Sequence, residues 1–195
     1  MTPVLDAAHE LEKARGRAPA PPPEEREDRL RRARAALAAN ELDGLVAYGT
    51  AGGNSDPIRY LAGYVHVFPT ASSLLLLPLE RDPILLVDQP WHLEEAHRMS
   101  WIDDVRSYPP PARRWLAEEL RSTVREALET AGLERGRIGL FEGETPAVYR
   151  DALAASGSDT QLVEAAPVWH ELVATPSDYD AESIRATAAV ADEGL

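Results

Sequence analysis

Apolar positions in this chain fall into short runs and helical stripes that alternate from one end to the other. From Glu24 to Glu41, Leu30, Ala33, Leu37 and Ala38 recur at helical spacing among charges, which predicts an amphipathic helix. Asp43-Gly44 then turns the chain into Leu45–Tyr48, an apolar run of strand length, followed by the polar loop Gly49–Pro57. Ser72–Pro78 and Ile84–Asp88 are further apolar runs, separated by a turn at Leu79–Pro83 and close enough to pair as a hairpin. Trp91–Met99 reads as helix and Asp104–Tyr108 as extended chain, and Ala112–Ala131 reads as the longest helix, stopped by Gly132. A strand at Arg137–Phe141, a helix at Thr145–Ala155, a strand at Gln161–Glu164 and a short helix at Val168–Val173 complete the alternation. Strands separated by helices imply an α/β fold, a mixed β-sheet flanked by helices on both faces; the hairpin makes the sheet mixed.

The two ends differ from this body. Val4–Lys13 has the composition of a short helix, but Arg15–Pro23, RGRAPAPPP, is held extended because each proline lacks an N–H and restricts the residue before it. At the other end, Ser177–Leu195 reads as a helix capped by Ser177, with Asp178 and Asp180 at its positive start and Ile184, Thr187, Ala188 and Ala191 on one stripe. Two readings of that weak stripe are open on pattern alone. It folds back on its own sheet, with Gly194 as the stop, or it faces a partner. The chain thus divides into an extension with a Pro-rich linker at 1–23, an α/β domain at 24–176 and a terminal helix at 177–195.

Length and charge narrow the function classes. A chain of 195 residues suits one domain with a real core, and 44% hydrophobic against 27% charged residues is a globular balance. Thirty-three acids against 20 bases give a net charge of −13, which repels phosphate backbones and anionic lipid, so neither nucleic acid nor a membrane is an expected partner. The arginines of Arg26–Arg34 and Arg113–Arg125 alternate with glutamates and read as solvated helix faces. The absence of cysteine removes disulfides and thiolate chemistry; with no apolar h-region near the start, cytoplasm is the expected location.

Candidate chemistry is sparse. His92 and His97 flank Glu94 and Glu95, but an i, i+5 spacing turns two helical imidazoles about 140° apart, so they read as a solvated face instead of a metal pair. Gly49–Asp56, GTAGGNSD, is glycine-rich after a strand, yet it matches no phosphate-binding pattern and carries no cation; a tight turn is expected. Gly53-Asn54-Ser55-Asp56-Pro57 fails as a nucleophile elbow at its last position, which leaves Ser55 a turn residue. The adjacent acids Asp103–Asp104 and Glu118–Glu119 point apart into solvent. Trp91, Trp101, Trp115 and Trp169 are each expected in the core.

Several short motifs, in order, carry a resemblance. The Asp43-Gly44-Leu45-Val46 turn into a strand, Arg59-Tyr60-Leu61-Ala62-Gly63-Tyr64, the hairpin SSLLLLPLERDPILLVD, the strand at Gly136–Leu140 and the segment Ser177, Glu182, Ile184, Arg185, Ala188 resemble the N-terminal domain of the creatinase family, which includes Xaa-Pro aminopeptidases and prolidases. Ala62 stands where the family has Thr, and Pro176 where its junction has Lys. The resemblance implies a ribonuclease H-like α/β fold and makes the terminal helix the junction to a C-terminal pita-bread domain. That domain carries the chemistry in complete members, where Asp, His and Glu side chains hold two divalent metal ions, Mn, Co or Zn. This chain is then expected to hold no catalytic residue or metal of its own. It is expected to serve a homodimeric M24-type hydrolase, an Xaa-Pro aminopeptidase or dipeptidase, by dimerising and closing the partner subunit's pocket. By position, Tyr64, His66 and Phe68 would line that pocket in trans; the plainer alternative is that they begin the next strand. Two other identities remain compatible with these motifs: a stand-alone binding or assembly module, and the first domain of a creatinase-like amidinohydrolase.

Overall fold

A computed structural model describes residues 20–193, apart from 52, 54, 70, 110–116, 142, 157 and 158. The proposed helix at Val4–Lys13, Trp115 and the stop at Gly194 lie outside the described residues. The elements run α1 (Pro23–Ala39), β1 (Gly44–Thr50), α2 (Asp56–Ala62), β2 (Ser72–Pro78), β3 (Ile84–Asp88), a 3₁₀ turn (Pro90–His92), α3 (Leu93–Met99), β4 (Asp104–Tyr108), α4 (Ala117–Ala131), β5 (Arg135–Leu140), α5 (Ala147–Ala154), β6 (Asp159–Glu164), α6 (Ala166–Ala174) and α7 (Asp178–Glu193).

The strands form one six-stranded sheet in the order β4-β3-β2-β1-β5-β6. Only β2 runs against its neighbours, pairing antiparallel with β1 and β3, while β1–β5, β5–β6 and β3–β4 are parallel. Five strands therefore end at one edge, where β2 begins. The unbroken leucines of β2 follow from burial on both sides. Leu75 and Leu77 join Leu85 and Val87 in a core under α1, α2, α3 and α6, whereas Leu74 and Leu76 join Ile84 and Leu86 against α4 and α5. On α4, Leu120, Val124, Ala127, Leu128 and Ala131 form the buried stripe. Each fully buried leucine contributes roughly 1.5–3 kcal/mol of transfer free energy.

The expected fold class is the one observed, with differences that have physical causes. Arg59–Ala62 belongs to a helix the polar composition hides: Pro57 sits in its first turn, and Ile58, Leu61 and Ala62 bury its inner face. On α1, Ala36 takes the buried position expected of Ala38, because the inward stripe continues through Arg29 and Glu25. Trp101 and Trp169 pack partly buried against the first core, but Trp91 is 67% exposed. The residues after Gly63 are not the start of a strand, since β2 begins only at Ser72. Among the described residues, no helix is long and apolar enough to cross a membrane.

Candidate functional site

Two polar clusters stand out, one at the carboxyl edge of the sheet and one where α7 begins. The carboxyl edge is where open α/β sheets present ligand-facing loops. Register brings Asp88, the last residue of β3, beside Tyr108, the last of β4, and sets Ser72 opposite Thr50. Ser72 Oγ lies 3.3 Å from Asp88 Oδ2, 2.8 Å from the Tyr108 hydroxyl and 3.0 Å from that of Tyr149. A carboxylate accepts only, so Ser72 donates to Asp88 and takes the two phenol protons on its lone pairs. Burial pushes Tyr108 well above the ordinary phenol range and raises Tyr149, which keeps both protonated.

Asp88 also orients His92. The imidazole Nδ1 lies 2.8 Å from Asp88 Oδ1 and 2.5 Å from the Asp88 carbonyl oxygen. Both are acceptors, so Nδ1 carries a proton. His92 is 4% exposed, which overturns its reading as a solvated helix residue: it ends the 3₁₀ turn, a place that spacing along a regular helix does not describe. The turn starts after Gln89, whose φ of +67° is rare for a residue with a side chain and costs about 1–3 kcal/mol.

On this platform stand the residues the resemblance singled out, and the structure separates them. Tyr64 is buried, edge-on to His66 with ring centroids 5.0 Å apart, and its hydroxyl is pushed up to about 12 by burial and by the Asp88 and Glu95 carboxylates. His66 is buried too; its Nε2 meets Ser73 Oγ at 2.8 Å, and burial and the nearby His92 hold it down to about 4. Among the described residues its buried Nδ1 has no partner, and so none supplies the carboxylate that orients the histidine of a hydrolytic triad. Phe68 is 48% exposed and stacks on His92 at 5.2 Å. Trp91 meets the same imidazole edge-on at 6.0 Å, and Val65 and Val67 are exposed beside Phe68 in sequence. The outward face is thus apolar and aromatic, over a proton-fixed base. Trp91 escaped sequence reasoning because its burial was inferred from residue type; the one legible signal was its place just past a strand end.

The glycine-rich stretch serves this packing. A side chain at Gly49 would meet Ile58 Cδ1 at 2.8 Å and His66 Cε1 at 3.0 Å. Gly63, with φ of +71°, ends α2 against the Trp101 ring, which a Cβ there would overlap. Ser55 occupies the residue before α2 with no side-chain cap bond, in keeping with a turn role.

The second cluster holds the first turn of α7. Ser177 Oγ accepts from the Asp180 N–H at 3.0 Å, and the Asp180 carboxylate accepts from the Ser177 N–H at 3.2 Å, a reciprocal capping box. Asp180 further binds Arg29 at 2.6 Å and the Tyr60 hydroxyl at 3.0 Å, while Ser177 Oγ donates to Glu25 at 2.9 Å. Arg29 also binds Glu25 at 2.8 Å and lies 4.1 Å from the Tyr60 ring centroid. Arg29 is 7% exposed, so the arginines of α1 are not all solvated: one face of the charged helix carries an internal ion pair. For Asp180, burial raises the carboxyl, but the Ser177 N–H, the Tyr60 hydroxyl and Arg29 together outweigh it and hold the group below its ordinary value. No cluster of three or more metal-ligating residues occurs among the described residues.

The family model described as Creatinase/Prolidase N-terminal domain matches residues 29–172. Among solved structures, an Xaa-Pro dipeptidase from Bacillus anthracis aligns with a TM-score of 0.58 at 11% identity, covering 80% of this chain and 38% of that one. The dipeptidase PepE from Mycobacterium ulcerans gives 0.60 at 19% identity, over 82% of this chain and 39% of that one. The N-terminal domain of the cytoplasmic peptidase PepQ from Mycobacterium tuberculosis H37Rv gives 0.52 at 24% identity and is covered over 98% of its length. At these identities the likeness is one of fold, and the chain spans less than half of the first two proteins. No curated protein matches the chain.

Proposed function

Since the chain belongs to the creatinase/prolidase N-terminal domain family, we propose that it serves as the non-catalytic first domain of a metal-dependent hydrolase acting on Xaa-Pro peptides, and that it works by pairing with a second copy and closing the partner's substrate pocket. The observation that carries the reading is the outward face of Phe68 and Trp91, both against a histidine that Asp88 holds in one tautomer. Exposed aromatics held rigid from below bind with little loss of side-chain entropy, and a pocket wall gains selectivity that way. Val65 and Val67 extend the apolar surface. Tyr64 and His66 support this wall from behind instead of lining it. The solved dipeptidases extend well beyond the aligned part, which fits a division of labour between this domain and a following catalytic one. The two divalent metals, Mn, Co or Zn, would be held in that second domain, and the stripe of Ile184, Thr187, Ala188 and Ala191 on α7 would pack against it.

Two measurements test the reading. The chain alone, given Mn²⁺ and an Xaa-Pro dipeptide, is expected to show no hydrolysis; turnover by a pure preparation defeats the non-catalytic assignment. In the full-length polypeptide carrying this domain, Trp91→Ala and Phe68→Ala are expected to raise KM for the dipeptide several-fold with kcat little changed. Unchanged KM in both variants defeats the pocket-wall assignment.

A further inference from the structure

Helix α7 is held at one end only. Asp178–Glu193 is a 16-residue helix, yet every residue from Glu182 to Ala189 is exposed, and Ile184 is 64% exposed. A helix of that length with so long an exposed stretch is marginal in water by itself, because forming the first turn fixes several residues for a single hydrogen bond. Here the first turn is not left to chance. The capping box of Ser177 and Asp180 supplies its N-terminal bonds, and Arg29, Glu25 and Tyr60 clamp those same two side chains to α1 and α2.

The clamp reaches further. Arg32 donates to the Tyr60 hydroxyl at 2.6 Å and to the Thr175 carbonyl at 3.1 Å, so the segment leading into α7 is tied to the same helix. Arg29 donates to the Tyr60 carbonyl at 3.2 Å. Tyr60 lies on α2, whose C-cap Gly63 launches the loop that bears Phe68. One short helix therefore joins the base of α7 to the base of the aromatic face.

We infer that Asp180, with Arg29 and Tyr60, is a positioning latch: it nucleates α7, sets the direction in which the helix leaves the domain, and ties that direction to α2. Once the first turn is fixed, the rest of α7 forms by propagation, one hydrogen bond per residue. Releasing the latch lets α7 swing and fray while the sheet and its two cores stay folded. The inference holds whatever α7 docks against, since every group in the latch belongs to this chain.

The test uses the whole chain, which has no cysteine, so introduced thiols are the only labelling positions. Spin labels at Ser122→Cys on α4 and Thr187→Cys on α7 report the distance between the domain body and the helix. The latched protein is expected to give one narrow distance distribution. Asp180→Asn keeps the Ser177 cap but removes the charge; it is expected to broaden the distribution and to speed amide exchange in residues 181–189 by roughly ten- to hundredfold, the factor expected for losing bonds to charged groups. Exchange in β2 and β3 stays unchanged. Tyr60→Phe, which leaves the ring under Arg29, is expected to shift both readouts the same way by less. Distances that stay narrow in both variants overturn the latch. A parallel loss of protection in β2 and β3 also overturns it, because the cluster would then belong to the core. Should Asp180→Asn fail to fold, Tyr60→Phe decides alone by the same two readouts.

Discussion

The two polar clusters flanking α2 are built on different principles. At the sheet edge, one carboxylate serves a serine, a histidine and, through the serine, two phenols; Asp88 has 6% of its side chain exposed, and among the described residues no arginine or lysine enters the network. At the base of α7, two guanidinium groups meet two carboxylates and two hydroxyls, and Asp180 is 15% exposed. In the first cluster one carboxylate is the shared charged acceptor, and its partners are buried away from water, so a lost carboxylate is not readily replaced. In the second, charges are shared among several partners, and partial exposure lets solvent replace one. The first arrangement suits a rigid wall. The second suits the mounting of an element that has no other support.

Breaking the first cluster should therefore cost most. Asp88→Ala takes away the carboxylate acceptor of the buried Ser72 hydroxyl and leaves the His92 Nδ1 proton only the residue-88 carbonyl, and an expected loss of about 3 kcal/mol follows from losing bonds to a buried charged group. Urea denaturation of the variant checks it, and a loss below about 1 kcal/mol would show that relaxation or water replaces the carboxylate.

Acid should separate the clusters next. His66 is held down to about 4 from 6.5, so between those values the unfolded chain binds the proton and the folded one does not. Stability is accordingly full above pH 6.5 and falls as pH drops toward 4, by about 3 kcal/mol at 1.36 kcal/mol per unit. Asp180 has the opposite chemistry but loses stability in the same direction: its carboxyl lies below 3.8 in the folded state, so its contribution is present above that value and disappears only as pH falls through the folded one. A denaturation series against pH should show the His66 loss, which His66→Gln should abolish, while amide exchange in α7 should report the lower, Asp180 loss.

Asp180→Ala is expected to change global stability by under about 0.5 kcal/mol, far less than Asp88→Ala, because it frees α7 without opening the sheet and Arg29 retains Glu25 as a partner. The same denaturation experiment ranks the two, and reversal of the order would refute the contrast drawn between the clusters. Trp91→Ala is expected to change stability by under about 0.5 kcal/mol, as for other exposed side chains, while weakening self-association in sedimentation velocity. A large stability loss there would mean that the indole braces the turn instead of facing a partner.

Much of this molecule was legible from the chain. The hairpin of Ser72–Pro78 and Ile84–Asp88 appears at its expected bounds because continuous apolar runs of that length bury on both faces of a sheet and have few alternatives. The ordered motifs pointed to the family that the match over residues 29–172 shows. The sites were less legible. His92 and Arg29 read as solvent-facing, and Trp91 as core, because residue type predicts burial only on average. For the first two the difference came from a partner far away in sequence: the clamp on Arg29 closes with Asp180, and the stacking on His92 comes from Phe68.

Local pattern was enough to specify the strands, every helix of the body but α2, and the two-sided core, since periodicity and turn chemistry act over a few residues and repeat along the chain. Which polar side chains are buried, which tautomer His92 adopts and which aromatics are left facing outward depended on strands and helices meeting across the fold. Those outcomes are set by desolvation and by the acceptors within reach, and both exist only once the sheet has brought Ser72, Asp88 and Tyr108 to one edge and α1 has met the first turn of α7.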